Sequence, residues 1–167
     1  MQLRPYQLAD LAAIREAFRT HQRVAYQAPT GSGKTVLFTF IANGAQAKGK
    51  RVWILVHRQE LTVQTSKALD DQRVAHGIVA AGWTPETLPN VQVCSVQTLI
   101  RRMGNLHPPD LIVIDEVHHS VAGSWRAIMD AYPKARILGV TATPLRLDGQ
   151  GLGESSGGMF QTLITGP

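Results

Sequence analysis

At 167 residues, 44% hydrophobic and 17% charged, the chain has the make-up of a single globular domain with a substantial core. No apolar run reaches the roughly 18 residues of a membrane span, and a single cysteine, Cys94, excludes an internal disulfide. The formal charge of +5 permits a polyanionic partner without requiring one; the lone thiol, and opening residues without the basic-then-apolar order of a signal peptide, point to a cytoplasmic setting.

The first predicted element is a helix over the opening segment, where Leu8, Leu11, Ile14 and Phe18 recur at helical spacing with Asp10 and Glu16 on other faces. Val24–Gln27 reads as a buried strand that leads through a glycine-containing loop into a helix over Lys34–Ala47. Arg51–His57 is the next strand and Gln59–Leu69 the next helix, with a weaker strand candidate at Val74–Ala80. Strands over Val91–Cys94, Leu111–Asp115 and Ile137–Thr141 follow, with helices over Val96–Met103 and Trp125–Ala131 between them. Leu111–Ile114 is apolar at every position, as suits a strand covered on both faces. Strands and helices alternating through right-handed crossovers predict a three-layer α/β fold around a central, mostly parallel sheet. Such sheets bind ligands beyond the carboxyl ends of their strands. Residues 1–148 are expected to form this domain, and residues 149–167 a Gly/Ser-rich tail with five glycines between Gly149 and Gly158.

Ala28-Pro29-Thr30-Gly31-Ser32-Gly33-Lys34-Thr35 follows a predicted strand and opens a predicted helix. It matches the phosphate-loop pattern G-x-x-x-x-G-K-[ST] except at the first position, where Ala28 replaces glycine. Gly31 and Gly33 let the backbone turn so that successive amides face one concavity, and the following helix adds the positive end of its dipole. Lys34 supplies an ammonium for the terminal phosphates of a nucleotide, and Thr35 a hydroxyl ligand for Mg²⁺.

Leu111-Ile112-Val113-Ile114-Asp115-Glu116-Val117-His118-His119 is an apolar strand ending in two adjacent carboxylates. Next to the strand of the phosphate loop, it would bring Asp115 into the Mg²⁺ shell and aim Glu116 at a water attacking the γ-phosphate. Acidic residues also suit a helix start on dipole grounds, but the phosphate loop makes the catalytic reading the stronger one. His118 and His119 diverge if helical, and neither they nor Cys94 show metal-ligand spacing; a hydrogen-bonding link to a neighbouring motif suits His118 better.

In chain order, Ala28–Thr35, Asp115-Glu116-Val117-His118 and Thr141-Ala142-Thr143-Pro144 each follow a strand. The set resembles the first RecA-like motor domain of superfamily 2 helicases of the DEAD/DEAH-box type, in which alanine at the first loop position is usual. The resemblance runs to about Gly153. Arg4-Pro5-Tyr6-Gln7 and Asp115–His119 look closest to the branch of type III restriction motors and RadD-like DNA repair helicases. It implies a RecA-like P-loop NTPase fold, ATP and Mg²⁺ as ligands, and hydrolysis coupled to movement on nucleic acid, DNA in preference to RNA. By the same resemblance Gln7 reads adenine with Arg4 and Tyr6 beside it, and Thr30, Gly31, Ser32, Gly33, Lys34 and Thr35 cradle the phosphates. Thr35 and Asp115 then hold Mg²⁺; Lys34, Asp115 and Glu116 carry catalysis; His118, Thr141 and Thr143 couple it to movement. Val56–Leu61 resembles motif Ia and Ser95–Leu99 motif Ib, which implies a nucleic-acid track contacted by Arg58, Gln59, Ser95, Thr98 and Arg101, with Arg102 adding charge.

The family's second RecA-like domain, which carries its arginine finger, has no counterpart after Pro144, so the resemblance implies half of a motor, poorly active alone. Arg136 lies at the wrong end of its strand, and Arg146 is the in-chain arginine on the correct side. Two rival readings stand beside this one. A small phosphate-loop kinase needs an acceptor pocket and an arginine-bearing lid, where this chain has Asp-Glu-Val-His and Thr-Ala-Thr-Pro. A non-catalytic nucleotide- or DNA-binding module is opposed by intact Lys34, Thr35, Asp115 and Glu116.

Overall fold

The computed structural model describes residues 3–29, 33–115, 122–142 and 162–166, with the side chains of 122–126 left aside. Helix α1 (Pro5–Thr20) begins with proline at a position where a missing amide is harmless, and the Arg4 backbone N–H donates to Gln7 Oε1 at 2.8 Å. There follow β1 (Arg23–Gln27), α2 (Lys34–Ala47), β2 (Val52–Val56), α3 (Gln59–Asp71) and β3 (His76–Val79). Next come β4 (Val91–Ser95), α4 (Val96–Arg102), a 3₁₀ turn at Met103–Asn105, β5 (Leu111–Asp115), α5 (Ala122–Ala131), β6 (Arg136–Thr141) and β7 (Thr162–Thr165).

The strands make one sheet in the order β3-β4-β2-β5-β6-β1-β7, and every pairing is parallel. Because strand side chains alternate between faces, each strand feeds two cores. Val24, Ile54, Val93, Val113 and Leu138 pack with α1, α2 and α3 on one face. Ala25, Trp53, Leu55, Ile112 and Ile137 pack with α4 and α5 on the other. There the Trp53 and Tyr132 rings meet edge to face with centroids 5.0 Å apart. Strands β2 and β5, in the middle of the sheet, are buried at every position, which accounts for the apolar run of Val52–Val56 and of Leu111–Ile114. The three-layer α/β fold is therefore the one the sequence predicts.

Two features differ from the sequence expectation. The strand bearing Asp115 does not neighbour the strand of the phosphate loop: β6 lies between β5 and β1. Strand adjacency is a long-range choice, and three similarly apolar strands carry no local mark of their order. Thr162–Thr165 falls in the stretch read as a tail, yet it pairs in parallel with β1, Val24 opposite Thr162 and Gln27 opposite Thr165. Ile164 packs on the α1–α3 side and Leu163 on the α4–α5 side, so this edge strand serves both cores. A four-residue strand with two apolar residues, beyond a glycine-rich stretch, is too short to declare itself by periodicity.

Candidate nucleotide and nucleic-acid site

Parallel pairing brings the carboxyl ends of the strands to one edge of the sheet. Gln27 stands opposite Thr141, and Asp115 opposite Val140. The amide of Ala28, first residue of the phosphate loop, donates to the Thr141 carbonyl at 3.0 Å, which ties the loop's entry to the end of β6. Asp115 and Thr141 are both buried at these strand ends. The phosphate-loop strand and the acidic strand thus share this edge with one strand between them, and β6 brings Thr141 there as well.

At the loop's exit, Gly33 has φ +83° and caps α2. That conformation demands glycine, and a β-carbon there would push the Gln7 amide aside. Gln7 is 4% exposed; its Nε2 donates to the Gly33 carbonyl at 3.3 Å, so one amide links the first turn of α1 to the end of the loop. Beside it Arg4 Nη1 donates to the Tyr6 hydroxyl at 3.1 Å. Lys34 and Thr35 open α2, whose first turn holds no acidic residue and no side-chain cap, leaving the positive end of the helix dipole for an anion. Thr39 Oγ1 donates to the Thr35 carbonyl at 2.7 Å and accepts from Gln72 Nε2 at 2.5 Å, which braces that turn against α3.

Sequence reading missed one feature of this region. Asp10, read as lying away from the apolar stripe, is 9% exposed and accepts a 2.6 Å hydrogen bond from the buried Tyr26 hydroxyl. Burial first, then that bond and the carboxylate's charge, hold the phenol well above its usual range. A charged residue among apolar ones reads as solvent-facing until a partner strand supplies a donor. Thr30, Gly31, Ser32, Glu116, His118, Thr143 and Arg146 lie outside the described residues.

Beyond the carboxyl ends of β2, β3 and β4 lies a cleft of about 210 Å³. Arg58, Gln59, Ser95, Thr98 and Arg101, the residues singled out for a nucleic-acid track, all line it. Thr62 and the backbone turn at Ala80-Ala81 close its sides. Arg58 and Arg101 are exposed. Arg102, counted with them on sequence grounds, does not line the cleft; it is half-buried, with Nη1 enclosed in protein, because neighbouring helical residues face different ways. Two arginines with hydroxyl and amide groups suit phosphate contacts that are indifferent to base sequence.

Among the described residues no group of three or more His, Cys, Asp and Glu could hold a metal by itself, and no helix is long and apolar enough to cross a membrane. A parallel seven-stranded sheet, with the phosphate-loop sequence after β1 and an acidic residue closing β5, has the RecA-like α/β fold. A family model for the res subunit of type III restriction enzymes (ResIII) matches residues 1–146, and the chain belongs to that family. A 51.5 kDa protein of a Lactococcus phage (isolate 7-9) is 37% identical over 125 residues, covering 75% of this chain and 25% of the relative. A Schizosaccharomyces pombe protein named as a mitochondrial ATP-dependent helicase, irc3, is 34% identical over 169 residues, covering 91% of this chain and 28% of the relative. The chain spans about a quarter of the length of these relatives. Of solved structures, the UvsW helicase from bacteriophage T4 superposes with a TM-score of 0.78 at 19% identity, over 99% of this chain and 60% of that one, a likeness of fold.

Proposed function

We propose that this chain is the ATP-binding first motor domain of a helicase or translocase that moves on DNA. The observation that carries this is the shared strand-end edge: phosphate loop after β1, Asp115 closing β5, and an arginine-bearing cleft beyond β2 to β4, all at one end of one sheet. The naming of the Schizosaccharomyces pombe relative as an ATP-dependent helicase and the chain's restriction-enzyme family favour ATP and DNA.

The donor set fits ATP with Mg²⁺. Lys34 and the uncapped N-terminus of α2 meet the terminal phosphates, with Thr30 to Gly33 lending amides. Gln7 uses one hydrogen and one lone pair internally; an amide has a second of each, enough to read the adenine edge. The Thr35 hydroxyl and the Asp115 carboxylate are the protein's ligands for Mg²⁺, which supplies charge neutralisation at the phosphates. Glu116 orients a water in line with the γ-phosphate and takes its proton as the bond to ADP breaks. Thr141, with His118 and Thr143, transmits the change at the phosphates to the rest of the sheet edge. Burial keeps the Cys94 thiol protonated and so unreactive.

Calorimetric titration with a non-hydrolysable ATP analogue and Mg²⁺ tests the assignment. Lys34→Ala should weaken binding by about tenfold or more, since it removes the point charge facing the terminal phosphates. Equal affinity in parent and variant would overturn the assignment.

A further inference from the structure

At the amino-terminal ends of the strands, away from the nucleotide edge, a shallow cavity of about 390 Å³ opens between α1, α2 and the starts of β5 and β6. Its floor is apolar: Phe18 from α1, Ile41 and Ala45 from α2, and Leu111 from β5. Leu111 is buried and the other three are half-buried, so they remain open to an occupant. Its rim is basic. Lys50, Lys134 and Arg136 line it and are exposed, and among the described residues none of them sits in an ion pair. The one acid of the rim, Asp110, is engaged elsewhere, its Oδ2 accepting the Arg51 backbone N–H at 2.9 Å.

Three exposed cations against the single carboxylate of Asp110, around an apolar floor, describe a ligand with two properties at once. A nucleic-acid backbone would use the cations but leave Phe18, Ile41 and Ala45 without a counterpart. A purely apolar segment would leave the cations unused. The volume matches one or two large side chains rather than an extended surface. We propose that this cavity is a docking site for an acidic segment of a partner protein. One or two of its apolar side chains rest on Phe18, Ile41, Ala45 and Leu111, while flanking carboxylates face Lys50, Lys134 and Arg136. The site is independent of the nucleotide and DNA reading, since it lies at the opposite end of the sheet.

The probe is a fluorescently labelled peptide of about ten residues with Asp and Glu flanking a central Leu-Phe pair, followed by anisotropy. The chain should bind it, and replacing Leu-Phe with Ser-Ser should weaken binding about tenfold. Lys134→Glu with Arg136→Glu, at exposed positions, should do the same, as should Ala45→Gln, which fills the floor without changing charge. All should leave affinity for the ATP analogue unchanged, which also reports that the variants fold. Four results would each overturn the proposal: no binding at about 1 mM peptide, equal binding of the Ser-Ser peptide, binding indifferent to all three substitutions, or a cavity whose charge reversal abolishes binding of short duplex DNA.

Discussion

Tyr26 stands two residues before the phosphate loop, and its bond to Asp10 joins α1 to β1 inside the protein. Gly166 lies against both side chains, and its N–H donates to the Gln27 carbonyl at 2.6 Å, so the pair is sealed from above by the end of β7. Removing the hydroxyl leaves a buried carboxylate short of its donor, and Tyr26→Phe should cost about 1–3 kcal/mol at neutral pH. The same residue sets a pH dependence. The unfolded chain loses the phenol proton near pH 10, while the folded chain holds it to higher pH. The folded state therefore binds more protons above pH 10; this part of the stability is complete below pH 10 and falls as the pH rises beyond it. Urea unfolding of parent and variant at pH 7 and above pH 10 checks both effects. A variant with the parent's stability at neutral pH and the parent's full alkaline loss would show that the pair contributes neither.

At the scale of elements, the informative case is β7. It converts β1 from an edge strand into an interior one, shielding the strand that launches the phosphate loop. Its two apolar side chains reach opposite cores, Ile164 toward α1 and α2, and Leu163 toward α5. Ending the chain at residue 161 should lower stability by about 2–4 kcal/mol, from the lost apolar burial and the exposed edge of β1. Denaturant midpoints of the two lengths give the measurement, and coincident curves would show that β7 is carried rather than structural. The Gly33–Gln7 contact shows the same logic at the loop's other end, where α1 constrains α2 through one amide.

For the whole molecule, the carboxyl-end edge that carries the candidate nucleotide site and the arginine-lined cleft lie at the same end of one sheet, so one topology brings both candidate sites together. Binding of labelled single- and double-stranded DNA should fall steeply with salt, because phosphate neutralisation releases counterions. Arg58→Ala and Arg101→Ala should each reduce affinity across all DNA sequences and shallow the slope by about one unit. Salt-independent binding, or none at low ionic strength, would refute the track. Hydrolysis by residues 1–167 alone should stay near background in a phosphate-release assay. The charge developing on the transferred phosphoryl group needs an arginine finger worth roughly 10³–10⁵ in rate, proposed here to come from a second motor domain. Robust DNA-stimulated turnover from this chain would overturn that view, and Arg146→Ala would then test the in-chain arginine.

The sequence by itself determined what is local. The loop residues Ala28–Thr35, the helix over Lys34–Ala47 and the apolar strand ending at Asp115 were legible because turn chemistry and hydrophobic period act over a few neighbours, while the residues now lining the cleft were named through the resemblance of Val56–Leu61 and Ser95–Leu99 to motifs Ia and Ib. Only the tertiary structure decided which strands stand side by side. It set β6 between β5 and β1 and recruited Thr162–Thr165 across the glycine-rich stretch. It brought Asp10 to Tyr26, turned Arg101 into the cleft and Arg102 away from it, and gathered Lys50, Lys134 and Arg136 around an apolar floor. These are contacts between residues far apart in the chain. Their selection rests on how two cores fill and how buried polar groups find partners, and no short window of sequence records either.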